Sequence, residues 1–500
     1  MVTIPATIQT ALSSSDHAVT EAQVDASSAW VCVTPETPRW RVLPHGQVLV
    51  RRHARQAAAG ANEPWGTDLP NRRATRAVHL PLAADATVFD TLTAARRAVE
   101  LALEHNPKDL LVSLHGCAAA QASVVAEALA SAALARGIPL PSAKRSSVPE
   151  SRLARLRVNA PGVTLAAARL RAETEGNGLV RQLAALPPNE LTPGRYRERV
   201  ALLADERGLR YEFHDIAALR RRGAGAFLAV AQGSLSADAG IVHVGYSPPG
   251  ARRSLPRVAL VGKGICYDTG GGDLKTPRHM FGMHQDMTGS AVALATLLTL
   301  QRLEVPFAVD CWLALASNHI GPQAYQPNDV VRAADGTSIE IVHTDAEGRL
   351  VLADTLLLAT AGKPTLTLNY ATLTGACIYA LGKGYSGVFT NRPALNNLLL
   401  ETGQASGERV WTFPFDADYD KVLDSTVADI KQCAMDGEAD HIVAARFLSR
   451  FVQNGAPWVH FDLASANRKG GLAHVATDET GFGVRYTCRL LLESGILDRL

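Results

Sequence analysis

Apolar residues along the chain fall into two kinds of run. Short, nearly continuous stretches bounded by turn residues predict buried strands, and longer stretches with apolar positions every three to four residues predict helices. In the first third, WVCVTPE (30–36), AVHLPL (77–82) and DLLVSLHG (109–116) read as strands. ATVFDTLTAARRAVELALEH (86–105) and AQASVVAEALASAALARG (120–137) read as helices, the second closed by Gly137 and Pro139. The polar, proline-bounded stretch 141–152 reads as a loop. TLAAARLRAETEGNGLVRQLAAL (164–186) is helical up to Pro187-Pro188, which cannot continue a helix. Strand-like and helix-like segments then alternate. RVALVGKGI (257–265), FAVDCWLALAS (307–317), SIEIVHT (338–344), TLTLNYAT (365–372) and PWVHFDLAS (457–465) predict strands. SAVALATLLTLQRL (290–303) and RLVLADTLLLATAG (349–362) predict helices.

This alternation predicts an α/β fold in two domains. Residues 1–25, rich in Ser, Thr and Ala, read as a flexible arm and 26–162 as a small α/β domain. Residues 163–186 read as a connecting helix. Residues 187–500 read as a larger C-terminal domain with a mixed, largely parallel central sheet flanked by helices. In such sheets ligands bind outside the carboxyl ends of the strands.

Composition narrows the function by exclusion. Fifty Lys and Arg against forty-eight Asp and Glu leave a net charge of +2, without the cation surplus of a dedicated polyanion binder. Aromatics at 6% supply few stacking platforms, so a nucleic-acid partner is not expected, although arginines at 51–52, 72–73 and 220–222 allow local patches. Seven cysteines lack metal-finger spacing and read as reduced thiols of a cytoplasmic protein. The N-terminus lacks the pattern of a signal peptide. No run reaches the roughly 18 apolar residues of a membrane span, so no membrane partner is expected.

The chemistry concentrates in two segments. Val261–Ser290 carries Lys263, Asp268, Asp273, Lys275 and Asp286 among glycines that let backbone approach a ligand. HTDAEGR (343–349) places Asp345 and Glu347 at a strand-to-helix turn. Asp268, Asp286, Asp345 and Glu347 are oxygen donors suited to hard divalent cations and can hold two of them about 3.5–4 Å apart. A lysine beside dications can lose its proton and become a ligand, and a second, protonated lysine can stabilise an oxyanion. Taken singly, Asp345, Glu347 and Asp286 are more often helix-capping acids, and Gly270–Gly272 a turn. A P-loop is excluded because GxxxxGK[ST] is absent.

VGKGICYDTGG, QDMTGSA and TDAEGRLVLADTL, with YATLTGA, WVHFDLASA and GAFLAVAQGS, resemble the M17 leucyl aminopeptidase family over about residues 170–500. The resemblance implies that 187–500 is a dinuclear-metal domain removing N-terminal residues from peptides with a free N-terminus. It implies that Asp268 and Glu347 bridge the metals, that Asp345 completes one site, and that Lys263 and Asp286 complete the other. The substrate amine then meets the second metal and Asp286, and a metal-bridging hydroxide attacks the carbonyl. Lys275 stabilises the oxyanion, and Arg349 holds a bicarbonate ion as proton shuttle. The implied ions are zinc, with manganese or magnesium exchangeable at one site, and the implied assembly is a homohexamer.

The resemblance also places Met283, His343, Thr372, Gly375, Ala464 and Asn467 around the first substrate pocket. His343 and Asn467 depart from the family's usual residues and make that pocket more polar, which predicts weaker selectivity for leucine. His460, in an apolar strand, reads as a core histidine and Cys266 as a packed small side chain.

Overall fold

A computed structural model describes residues 7–57, 63–145, 151–234, 237–250 and 255–500. The expected loop at 141–152 therefore lies in part (146–150) outside the described residues, as does the start of the expected arm (1–6). The chain forms two compact units. The first comprises Met1–Gly178, Gln404–Glu408 and Arg468–Thr480, and the second Leu179–Gly403, Arg409–Asn467 and Gly481–Leu500.

In the first unit, six strands run in the order β1-β6-β5-β2-β4-β3. They are β1 (Ala11–Ser15), β2 (Ala29–Pro35), β3 (Trp65–Asp68), β4 (Arg76–Leu82), β5 (Asp109–Leu114) and β6 (Arg155–Asn159). All neighbours pair in parallel except β3 with β4. Val31, Val33, Val78, Leu80 and Val112 alternate onto one face, against the helices Val88–Ala102 and Ala119–Arg136. Thr87 and Asp90 cap the first of these helices reciprocally.

One expectation changes here. Residues 11–15 are not part of a loose arm: they add a parallel edge strand beside β6, and the following helix Glu21–Asp25, with a Thr20–Gln23 capping box, buries Val24. A polar edge strand of sequence ALSSS carries no hydrophobic run, because its stabilisation comes from the backbone ladder. The helix expected over 163–186 runs from the first unit into the second. It spans Ala167–Ala184 and divides at Gly178, where an added Cβ would lie 2.4 Å from Ile138 Cδ1. Its first turns pack in the first unit, so the boundary falls inside the helix.

The second unit holds an eight-stranded sheet ordered β15-β14-β17-β13-β9-β10-β8-β7 and a small one ordered β11-β12-β16. The strands are β7 (Arg210–Asp215), β8 (Gly240–Tyr246), β9 (Arg257–Asp268), β10 (Ala308–Asn318), β11 (Val330–Arg332), β12 (Ser338–Glu340), β13 (Leu366–Ala371), β14 (Ser386–Thr390), β15 (Val410–Thr412), β16 (Ile430–Lys431) and β17 (Trp458–Asp462). The central four, β10-β9-β13-β17, are parallel, flanked by antiparallel β8 and β14. The strand expected over 338–344 is shorter and lies outside the main sheet, because the amides of Val342 and His343 donate to the Gln432 side chain instead of to a strand.

Alternation along β9 sets up the site. A Cβ on Gly262 would meet Ser290 Cα at 2.4 Å, so one face of β9 lies close under the helix Thr288–Arg302. Lys263, next along the strand, points to the other face, against Gly348 near the start of the helix Glu347–Ala361. Among the described residues no helix is long and apolar enough to cross a membrane.

Candidate active site

The carboxyl ends of β9, β10 and β13 bring the two chemical segments together. Asp268 ends β9 and is in register with Asn318 at the end of β10, next to a ladder irregularity. Gly270 and Gly271 follow with φ of +88° and +67°, values that L side chains adopt only under strain. A Cβ on Gly270 would also meet Asp273 O at 2.5 Å. The tight turn returns Lys275 to the site. Thr344 then laces this loop to the second segment: its amide donates to Asp273 Oδ2 (2.8 Å) and its hydroxyl to Gly270 O (2.6 Å). Tyr325 OH donates to Thr344 O at 2.6 Å.

Four carboxylates and two ammonium groups interleave here. Lys263 Nζ lies 2.7 Å from Asp286 Oδ2, 2.8 Å from Glu347 Oε1 and 3.1 Å from Thr372 O. Lys275 Nζ lies 3.0 Å from Asp268 Oδ2 and pairs with Asp345 Oδ1. Asp268 Oδ1 accepts from the Gly270 amide (2.8 Å) and Asn318 Nδ2 (2.9 Å). Asp286 Oδ1 accepts from Thr372 Oγ1 (2.7 Å). Gly348 matters for proximity: a Cβ there would come within 2.7 Å of Lys263 Nζ.

Capping does not explain the acids. Neither the helix Glu347–Ala361 nor the helix Thr288–Arg302 has a side-chain hydrogen bond at its N-cap, and the carboxylates face the lysines. Burial opposes charge on both lysines, yet the surrounding carboxylates outweigh it and hold both amines above the ordinary lysine range. Burial, reinforced by Glu347 and Asp268, pushes Asp345 up to about 7 against the pull of Lys275. The same causes raise Asp286, opposed by Lys263. Four acids against two ammonium groups leave excess negative charge in a buried place.

A divalent ion fits that surplus. Asp268, Asp286 and Glu347 each offer an oxygen, all within 4.8 Å of one another. Buried Glu347 Oε2 has no hydrogen-bond partner, which suits an oxygen facing a cation.

Arg349 lies beside this cluster, buried, with Nη2 2.7 Å from Asp440 Oδ1 and Nη1 3.3 Å from Gln432 O. The expected pocket residues are more scattered. Thr372 touches the cluster through Asp286, and His343 Nδ1 accepts from the Asp345 amide at 3.1 Å. His343 is therefore committed to its own loop. Met283 closes the turn before Asp286, Gly375 opens the helix Gly375–Leu381, Ala464 is buried just after β17 and Asn467 is half-buried. His460 is a core histidine, its Nδ1 2.8 Å from Asn369 Oδ1 and burial lowering it to about 3. Cys266 is a packed thiol, which burial pushes up.

Residue-by-residue sequence reading passed over Asn318, Thr344, Gln432 and Asp440. Asn318, a buried polar residue ending an apolar strand, carried a visible signal. Asp440, 91 positions from Arg349, carried none.

Residues 178–488 match the cytosol aminopeptidase family, catalytic domain. A protein of Parasynechococcus marenigrum named "Probable cytosol aminopeptidase" is 41% identical over 316 residues, 62% of this chain and 63% of that protein. One of the same name from Wolbachia pipientis is 39% identical over 326 residues, 64% of each. The matched part thus spans just under two thirds of these relatives' length. Among solved structures, the bottromycin maturation enzyme BotP in complex with Mn is 32% identical, with a TM-score of 0.79 over 93% of this chain and 99% of that one. A tomato leucine aminopeptidase variant, 24% identical, shares the fold with a TM-score of 0.85 over 98% of each chain. With the profile covering well over half its length, this chain belongs to the cytosol aminopeptidase family.

Proposed function

We propose that the chain is a metal-dependent aminopeptidase that hydrolyses the N-terminal bond of peptides with a free N-terminus. The observation that carries this reading is the interleaving of Lys263 with Asp286 and Glu347, and of Lys275 with Asp268 and Asp345, in a chain of this family. In this proposal Asp268 and Glu347 would be shared between two divalent ions, zinc with manganese or magnesium exchangeable at one site; Asp345 would complete one site, and Asp286 with Lys263, its proton displaced by the incoming cation, would complete the other. When bound, the ions supply Lewis acidity and make water nucleophilic at neutral pH.

The chain's own groups do the rest. Asp286, oriented by Thr372, receives the substrate's ammonium group and so restricts cleavage to the chain end. Lys275, held protonated by its carboxylate neighbours, stabilises the oxyanion. Arg349 contributes a fixed positive charge beside the cluster. Met283, Thr372, Gly375, Ala464 and Asn467 line the first substrate pocket, whose polar members weaken selectivity for leucine, while His343, bonded to the Asp345 amide, borders it from the loop side. A homohexamer in the cytoplasm completes the proposal.

A second reading has one observation in its favour. The 32% identical structure is named a maturation enzyme and aligns over 93% of this chain, and on this reading the same chemistry serves the maturation of one peptide product instead of general turnover. A panel of aminoacyl amides and of peptides with modified N-terminal residues, assayed with Mn, Zn or chelator, separates the two. Absence of metal-dependent hydrolysis on every substrate would sink both, and full activity in Asp345→Ala or Lys275→Ala would sink the residue roles.

A further inference from the structure

Arg349 was expected to hold an external anion, and its surroundings do not fit one. Its guanidinium is buried, and Nη2 already donates to Asp440 Oδ1 at 2.7 Å. Nη1 donates to Gln432 O at 3.3 Å. Gln432 is itself fixed, donating to Ala346 O (2.9 Å) and accepting from the amides of Val342 and His343 (3.2 Å each). The arginine therefore hangs from the same residue that shapes the loop carrying Asp345.

The geometry points to Asp440 as a built-in carboxylate that occupies the anion position on Arg349, so that turnover needs no bicarbonate. Three features support it. Asp440 is the first residue of the ten-residue helix Asp440–Ser449, where the helix dipole favours a negative side chain. The residue before it, Ala439, has a φ of +50°, a strained conformation for a non-glycine, at the point where the chain turns into that helix. The Asp440 side chain is 24% exposed while that of Arg349 is 3% exposed, so the carboxylate is the more solvent-facing member of the pair and the guanidinium is closed off around it. A second anion on the same guanidinium would meet a like charge at hydrogen-bonding range, in a buried setting where repulsion is poorly screened. Asp440 acts through Arg349 and is a positioning residue.

The rate arm of the test rests on the aminopeptidase reading, and the melting arm does not. In CO2-free buffer, the metal-loaded wild type should hydrolyse substrate at a rate unchanged by added bicarbonate. Asp440→Ala leaves a carboxylate-sized gap beside an unpaired arginine. It should lose about tenfold in kcat, ~1.4 kcal/mol, and recover with bicarbonate or formate. Without metal or substrate, the Tm of Asp440→Ala should rise with formate while that of wild type stays level. Asp440→Asn, isosteric and neutral, covers the possibility that the alanine variant folds poorly, and Asp440→Glu should restore anion independence. Saturable activation of the wild type by bicarbonate would overturn the inference. So would full activity of both variants in CO2-free buffer with no formate-dependent Tm shift. If no substrate turns over at all, the aminopeptidase reading fails while the melting result still decides this one.

Discussion

Both units place polar residues near the carboxyl ends of parallel strands, and they solve burial in opposite ways. In the first unit, Thr34, His79, Ser113 and His115 form short neutral chains. Thr34 donates its hydroxyl to Pro35 O, so His79 Nε2 must donate to Thr34 (2.8 Å) as a neutral imidazole. Trp30 Nε1 donates to Ser113, whose hydroxyl meets His115 Nε2 at 2.9 Å. Burial, with His53 adding to it, lowers His79 to about 3, and burial alone lowers His115 to about 4. In the second unit burial also opposes the charge on Lys263, but three carboxylates overrule it. Desolvation is common to both places. Where opposite charges are built in together the buried lysines stay ionised, and the four acids around them leave a buried surplus that a cation can relieve.

The largest effect that would sharpen this contrast is loss of the acids. Chelation, or Asp345→Ala, should remove hydrolysis to below detection, with metal content measured alongside rate. Next comes Lys275→Ala, which should lower kcat about 10²–10³-fold with a smaller change in KM. An equal rise in KM with kcat unchanged would move this lysine from oxyanion stabilisation to substrate binding.

The surplus charge also predicts a pH dependence of stability. Folded Asp345 titrates near 7 against 3.8 for the ordinary group, so the folded state binds more protons between those values. Stability of the metal-free protein should therefore fall as pH rises from about 4 to about 7, by at most ~4 kcal/mol. The raised lysines lose their contribution only above the ordinary lysine range, outside this window. Manganese removes the repulsion, so the gap in Tm between loaded and metal-free protein should widen from pH 5 to pH 8. A gap that narrows would show that the carboxylates do not carry the surplus. In the first unit, Ser113→Ala should cost about 1–3 kcal/mol by stranding Trp30 and His115, with the rate unchanged.

How far the sequence disclosed this can be read from individual residues. β9, β10, β13 and β17 are apolar runs with clear ends, and strands at 257–265, 307–317, 365–372 and 457–465 were legible with bounds within three residues. The loop Gly270–Gly272 and the acids around it were legible as chemistry because glycines and charges crowd one segment. Polar β1 was not, since a backbone ladder leaves no hydrophobic trace. Nor was Asp440, because an ion pair across 91 positions has no local signature. The helix Ala167–Ala184 was legible as a passage between domains, but the segments 404–408 and 468–480 that belong with the first unit were not, for they carry no composition shift.

The smallest expected effect concerns His343. Sequence alone made it a polar pocket wall, whereas its Nδ1 accepts from the Asp345 amide, which fixes the imidazole as an acceptor there and turns it toward the loop. Asp273 Oδ2 lies 3.8 Å from the same nitrogen, too far for a hydrogen bond. His343→Asn keeps a short acceptor near that amide, while His343→Ala removes it. If the ring serves the loop, Asn should retain near wild-type kcat/KM and Ala should lose a few-fold, about 1 kcal/mol, equally on leucyl and polar substrates. If the ring faces substrate, both variants should change the ratio of leucyl to polar substrates together, by up to about tenfold. The ratio, not the rate, tells a wall of the pocket from a strut beneath the metal site.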